Sequence, residues 1–204
     1  MKQLNSIRHS MRALLLFCLL GLSGCASMSA VSTVSGSAMD GVLSLFQGEE
    51  VSLPLNTKAT LASCQRGLHQ VGFKVDILEQ QDDGYALRFA NDKLKGSLEV
   101  HAETARMNTV FVQVRSGLMR NTSVEKAILK SISDSSRHTS KRSRFSFKGY
   151  KQIYTEPSGK EKHLAWFRQG ADVPHHKAIA DPQWVQIQLP SMRSGYIPAR
   201  DARI

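Results

Sequence analysis

Three kinds of residue in this 204-residue chain could do chemistry: histidines near acids, cysteines, and aromatic residues on alternating strands. His175 and His176, followed by Asp181, have the types of metal ligands. Adjacent residues in an extended segment point to opposite faces, however, so the pair does not share one ion and no metal is expected. Asp82-Asp83 runs into Gly84 and reads as a turn, not as a carboxylate dyad. Cys64 falls at a helical spacing with Leu61 and Leu68, the position of a buried structural thiol, and no His is placed to activate it. Neither a nucleophile elbow nor a phosphate-cradling Gly loop is present in the sequence. Catalysis and cofactors are therefore not expected. Binding is. Trp184-Val185-Gln186-Ile187-Gln188-Leu189 alternates strictly, so Val185, Ile187 and Leu189 point inward and Trp184 points outward, where an indole can stack on a ligand.

The elements that must carry these residues begin with an export signal. Lys2, Arg8 and Arg12 precede the uncharged run Ala13 to Leu20, which is too short to span a bilayer, for which about 20 apolar residues are needed. A basic segment, a short apolar core and small residues make a secretory signal over residues 1–24. Leu22-Ser23-Gly24-Cys25 resembles the lipobox of bacterial lipoproteins. The resemblance implies diacylglycerol on the Cys25 sulfur, cleavage before Cys25, and an acyl chain such as palmitate on the new amino group. Several acyl chains anchor firmly where one is marginal. Ala26, in place of an Asp, points by analogy to the periplasmic face of the outer membrane. With Cys18 in the signal and Cys25 lipidated, Cys64 has no partner and no disulfide is expected.

The formal charge is +10, and loss of the three leader cations leaves +7. From Arg137 to Ile204 there are 13 Lys or Arg against 5 Asp or Glu, so the basicity lies in the C-terminal third. A basic face seeks anions. Export removes nucleic acid as the partner and leaves peptidoglycan peptides, lipid head groups and lipopolysaccharide.

Residues 25–50 follow the signal as the lipidated Cys and a Ser-, Gly- and Ala-rich tether, unable to bury a core. Residues 51–133 are periodic. Val51, Leu53 and Leu55 alternate, and Asn56 or Thr57 can cap a helix running to about Gln70. Phe73, Val75 and Ile77 alternate, as do Tyr85, Leu87 and Phe89 across the Gln81–Gly84 turn, which predicts a hairpin. Two further strands carry Leu98, Val100 and Ala102, and then Thr109 to Arg115. Thr122 with Glu125 is a capping-box pattern opening a second helix. The expected fold class is α+β: a helix and meander-sheet sandwich, followed by a small all-β barrel. The sandwich pattern is similar to small lipoprotein domains of Gram-negative bacteria. Residues 134–148, polar and basic, read as a linker whose Lys141, Arg142 and Arg144 face an anionic envelope surface.

In residues 149–204, Ala165-Trp166-Phe167-Arg168-Gln169-Gly170 and Trp184-Val185-Gln186-Ile187-Gln188-Leu189, followed by Gly195-Tyr196-Ile197-Pro198, occur in the order of the bacterial SH3-like domain. The resemblance implies a small barrel that binds peptide or glycan strands and does no chemistry. It places Tyr154 and Pro198 in the ligand groove beside Trp184 and Tyr196. Asp201 stands where eukaryotic SH3 domains carry a groove Tyr, so polyproline is not the expected ligand. The expectation is a lipid-anchored protein whose SH3-like domain binds peptidoglycan or an envelope protein. The alternative is a structural subunit of an envelope or secretion assembly that uses the barrel only for packing.

Overall fold

The computed structural model describes residues 48–117, 119–158, 163–172, 179 and 181–202. Its first strand, β1 (Glu49–Leu53), begins inside the stretch expected to be tether. Helix α1 (Thr57–Gln70) is capped by Asn56, whose side chain accepts from the Ala59 N–H at 3.0 Å. A meander follows: β2 (Lys74–Gln80), β3 (Gly84–Ala90), β4 (Lys95–Thr104) and β5 (Met107–Ser116), with the short β6 (Met119–Arg120) paired to β5. Helix α2 (Thr122–Arg137) runs past the expected boundary at 133. Four strands complete the described elements: β7 (Tyr150–Tyr154), β8 (His163–Arg168), β9 (Trp184–Gln188) and β10 (Ser194–Pro198), with a 3-10 turn at Ala199–Asp201.

All these strands join one antiparallel sheet in the order β1-β5-β4-β3-β2-β8-β7-β10-β9. The molecule is thus a mixed α/β protein whose sheet is not closed into a barrel. The expected two-domain division is bridged by hydrogen bonding between β2 and β8, where Leu78 faces Trp166. Both helices cover the β1–β5 part, and between helices and sheet lie Leu61, Leu68, Leu87, Leu98, Val112, Ile128 and Ile132, all nearly inaccessible to water. The helices touch closely: a Cβ added to Gly67 would stand 2.7 Å from the Ile132 backbone. Cys64 is buried in this core as a free thiol, and burial pushes its pKa up.

Two expectations change, one through strand register and one through a tertiary contact. The alternation Phe73, Val75, Ile77 is interrupted by a bulge between Val75 and Ile77. One extra residue flips every later side chain. Phe73, Val75 and Leu78 therefore enter the helix-side core, while Ile77 joins a second core with Ile153, Ala165, Phe167, Ile187, Leu189 and Ile197. Glu125 does not close a capping box. The helix cap is Asn121, and Glu125 is fully buried, accepting from the Val114 N–H at 2.9 Å and from Arg120 at 2.6 Å.

The stretch 134–148, expected to be a linker, instead ends helix α2 at Arg137 and continues as a segment, 138–149, fastened along α1. Gln65 exchanges two hydrogen bonds with the Ser146 backbone, Asn56 donates to the Lys141 carbonyl, and Phe145 is buried in the helix-side core. It is a strap held by side chains, which composition alone did not indicate.

Candidate functional site

Strand alternation builds the C-terminal site. On β7, Ile153 points into the second core and its neighbours Gln152 and Tyr154 point out. On β10, Ile197 and Gly195 turn inward, so Ser194, Tyr196 and Pro198 lie on the outer face. Gly195 lies tight against the core: a Cβ there would meet Ile153 Cγ2 at 2.5 Å. Cross-strand pairing then sets Pro198 opposite Trp184 and Tyr196 opposite Tyr154. Residues directly opposite share a face, so all four expected ligand-binding residues occupy the outer face.

Three of the four converge. Tyr154, Trp184 and Pro198, with Gln183, Ala199 and Arg200, line an open recess of about 560 Å³. The rings of Tyr154 and Trp184 meet edge to face at 5.7 Å, which fixes the indole without covering it. Tyr196 is half-buried on the same face but does not line the recess. A second recess of about 440 Å³ adjoins the first and shares Tyr154, Pro198 and Arg200 with it. Its other walls include Phe147 from the strap, Tyr150 and Gln152 from β7, and Trp166 from β8. Phe147 lies 4.7 Å from Trp166, ring to ring, and 43% of its surface is exposed although it is a large apolar side chain. The Tyr150 hydroxyl donates to the Val75 carbonyl at 2.8 Å, and burial pushes its pKa up to about 12, so it stays neutral and structural.

Trp166 was within reach of sequence reasoning, because Ala165 and Phe167 on either side face the core. Phe147 was not, since a segment read as a linker has no assigned face. The basic side chains of the strap, Lys141, Arg142, Arg144 and Lys148, are all exposed.

A buried acid pins this face to the rest of the sheet. Glu79 on β2 is fully buried and accepts from the Ser191 N–H at 2.8 Å, the Ser191 hydroxyl at 2.5 Å and Arg193 at 2.7 Å, all in the β9–β10 loop. Asp76, at the β2 bulge, accepts from Arg168 at 2.6 Å. Burial raises the Asp76 pKa, and the Arg168 hydrogen bond opposes that rise. These contacts fix the groove floor relative to β2.

On the β3–β5 face turned away from the helices, another recess holds Asp83, Glu99, His101 and Phe111. The two ring nitrogens of His101 are engaged, by Asp83 at 3.2 Å and Glu99 at 3.1 Å, which leaves neither for a metal or a substrate proton. Among the described residues no three His, Cys, Asp or Glu side chains form a metal-holding group. His175, His176 and the lipidation candidate Cys25 lie outside the described residues. No helix among the described residues is long and apolar enough to cross a membrane. No protein-family model matches the chain, and no curated protein matches it significantly.

Proposed function

We propose that this chain is a non-enzymatic envelope lipoprotein, anchored through Cys25 on the periplasmic face of the outer membrane, whose C-terminal SH3-like module binds peptidoglycan. The lipid anchor rests on the signal pattern and Leu22-Ser23-Gly24-Cys25. The SH3-like reading rests on the ordered segments around Gly170, Trp184 and Gly195-Tyr196-Ile197. One observation carries the binding role: Tyr154, Trp184 and Pro198 form an open aromatic recess on the outer face of a module whose inner face is an apolar core. Aromatic rings held edge-on and left accessible offer planar surface to a sugar or peptide at little entropic cost.

Trp184→Ala tests it directly. The variant should fold, by circular dichroism, and should no longer sediment with purified sacculi. Undiminished sedimentation would sink the reading. The rival, a packing subunit of an envelope or secretion assembly, draws on the Glu79 contact that already uses the module to build the sheet. It requires that even the unaltered protein fail to sediment with pure wall.

A further inference from the structure

We infer that the strap 138–149 closes one end of the ligand groove with Phe147, so that the site takes an extended acidic peptide running from Trp184 to Phe147, with a carboxylate held at Arg200. This rests on the peptidoglycan reading above and adds the part of the wall that is read: its peptide, not its glycan.

The two recesses are continuous through Tyr154, Pro198 and Arg200. From Tyr150 to Tyr154 the floor follows β7 for about 13 Å, and Trp184 lies two strand spacings of about 4.8 Å to the side. The diagonal accommodates about five residues of extended chain. Strand β7 is paired on both sides, by β8 and β10, so a ligand cannot add to it as a strand. Side chains must therefore do the reading. The walls are apolar at the two ends and polar between: Trp184 at one end, Arg200 and Gln152 in the middle, and Phe147 packed at a tilt against Trp166 at the other. Gln152 accepts from the Tyr154 hydroxyl at 3.2 Å, and its NH2 has no partner among the described residues, so it can donate to a ligand carbonyl.

Arg200 decides the charge of the ligand. It is exposed, sits where the two recesses meet, and has no ion pair among the described residues. Lys151, on the same wall, is held only loosely by Asp201 at 4.0 Å. A planar guanidinium presents a fork that matches a carboxylate in two parallel hydrogen bonds. The last third of the chain, with 13 basic and 5 acidic residues from 137 onward, is net positive, which favours an acidic ligand over a basic one. Phe147 is carried by a segment that the Gln65–Ser146 and Phe145 contacts immobilise, so that end of the groove is formed before any ligand arrives.

The test measures binding of the full-length lipidated protein, in detergent, to muropeptides released from purified wall, with their carboxylates free or amidated. Arg200→Ser and amidation should each weaken binding at least tenfold, and amidation should cost the Arg200→Ser variant nothing further. Phe147→Ala should weaken binding several-fold, and Phe147→Tyr should restore it. If Trp184→Ala abolishes binding while Phe147→Ala and Arg200→Ser stay within twofold of the unaltered protein, the composite groove is wrong and the peptidoglycan reading survives. If amidated and free muropeptides bind alike, or an acidic peptide of protein sequence binds more tightly than either, the assigned ligand is wrong. If Trp184→Ala binds normally, the proposed function itself fails.

Discussion

The two halves of the sheet solve the same problem differently. Over β1–β5, two amphipathic helices seal one face and leave the other polar, with His101, Glu99 and Gln113 turned outward. Over β7–β10 the described residues hold no α-helix, and the strands pack their inner face around Ile153, Phe167, Ile187 and Ile197. The second half also borrows Ile77 and Glu79 from β2. The difference shows in where aromatic side chains stay accessible. The helix-covered half spends Phe73 and Phe89 in an edge-to-face core contact, while the other half keeps Tyr154, Trp166 and Trp184 only partly buried on its outer face.

The sharpest way to break this contrast is through the buried acid of the helix-covered half. Arg120→Ala leaves Glu125 fully buried without its guanidinium partner, and should cost about 3–5 kcal/mol in chemical denaturation. A loss below about 1 kcal/mol would mean that the Val114 N–H and solvent suffice for Glu125.

The shared residue probes the seam. Ile77→Ala removes a side chain that belongs to the second core but sits on a strand of the first half, and should cost about 2–4 kcal/mol. Hydrogen exchange should then quicken in β7–β10 more than in β3–β5. Equal quickening everywhere would show that the halves unfold only together.

The smallest effect is a pH dependence confined to the polar face. Burial alone would lower the His101 pKa, but hydrogen bonds and charges from Glu99 and Asp83 outweigh it and hold it above the ordinary value. A folded pKa above the unfolded one means that the ion pairs stabilise fully below the unfolded value, about 6.5, and that this contribution fades as pH rises through the folded value. The gap in Tm between the natural protein and His101→Gln should therefore be present near pH 5 and close toward about pH 9. A gap that widens with pH would reverse the assignment. The partners are exposed, so salt should shrink the gap too.

Much of the helix-covered half was legible in the sequence. A cap at Asn56 or Thr57, the turn at Asp82-Asp83-Gly84, and the stripe Leu61, Cys64, Leu68 on the first helix are local signals, and the structure places each where its neighbours along the chain required, with Asn56 as the cap. In the candidate site, the outward turn of Trp184 was legible from the inward set Ile187 and Leu189. The role of Glu125 was not. Its spacing from Thr122 fits a local cap, yet its carboxylate answers to Val114 and Arg120, groups brought near by the β5–β6 turn.

By itself, then, the sequence determined which face each side chain takes within an element, because periods of two and 3.6 are properties of the local backbone. It also determined the basic balance of the last third. Only the tertiary structure decided which elements share a sheet, where the register of β2 breaks, and that the strap carries Phe147 into the groove. The sheet partner of β2 at β8 and the seat of the strap depend on residues about 80 or more away, as Gln65 is from Ser146 and Glu79 from Arg193. The β2 break depends on its pairing with β3, and no local period encodes a partner on another element.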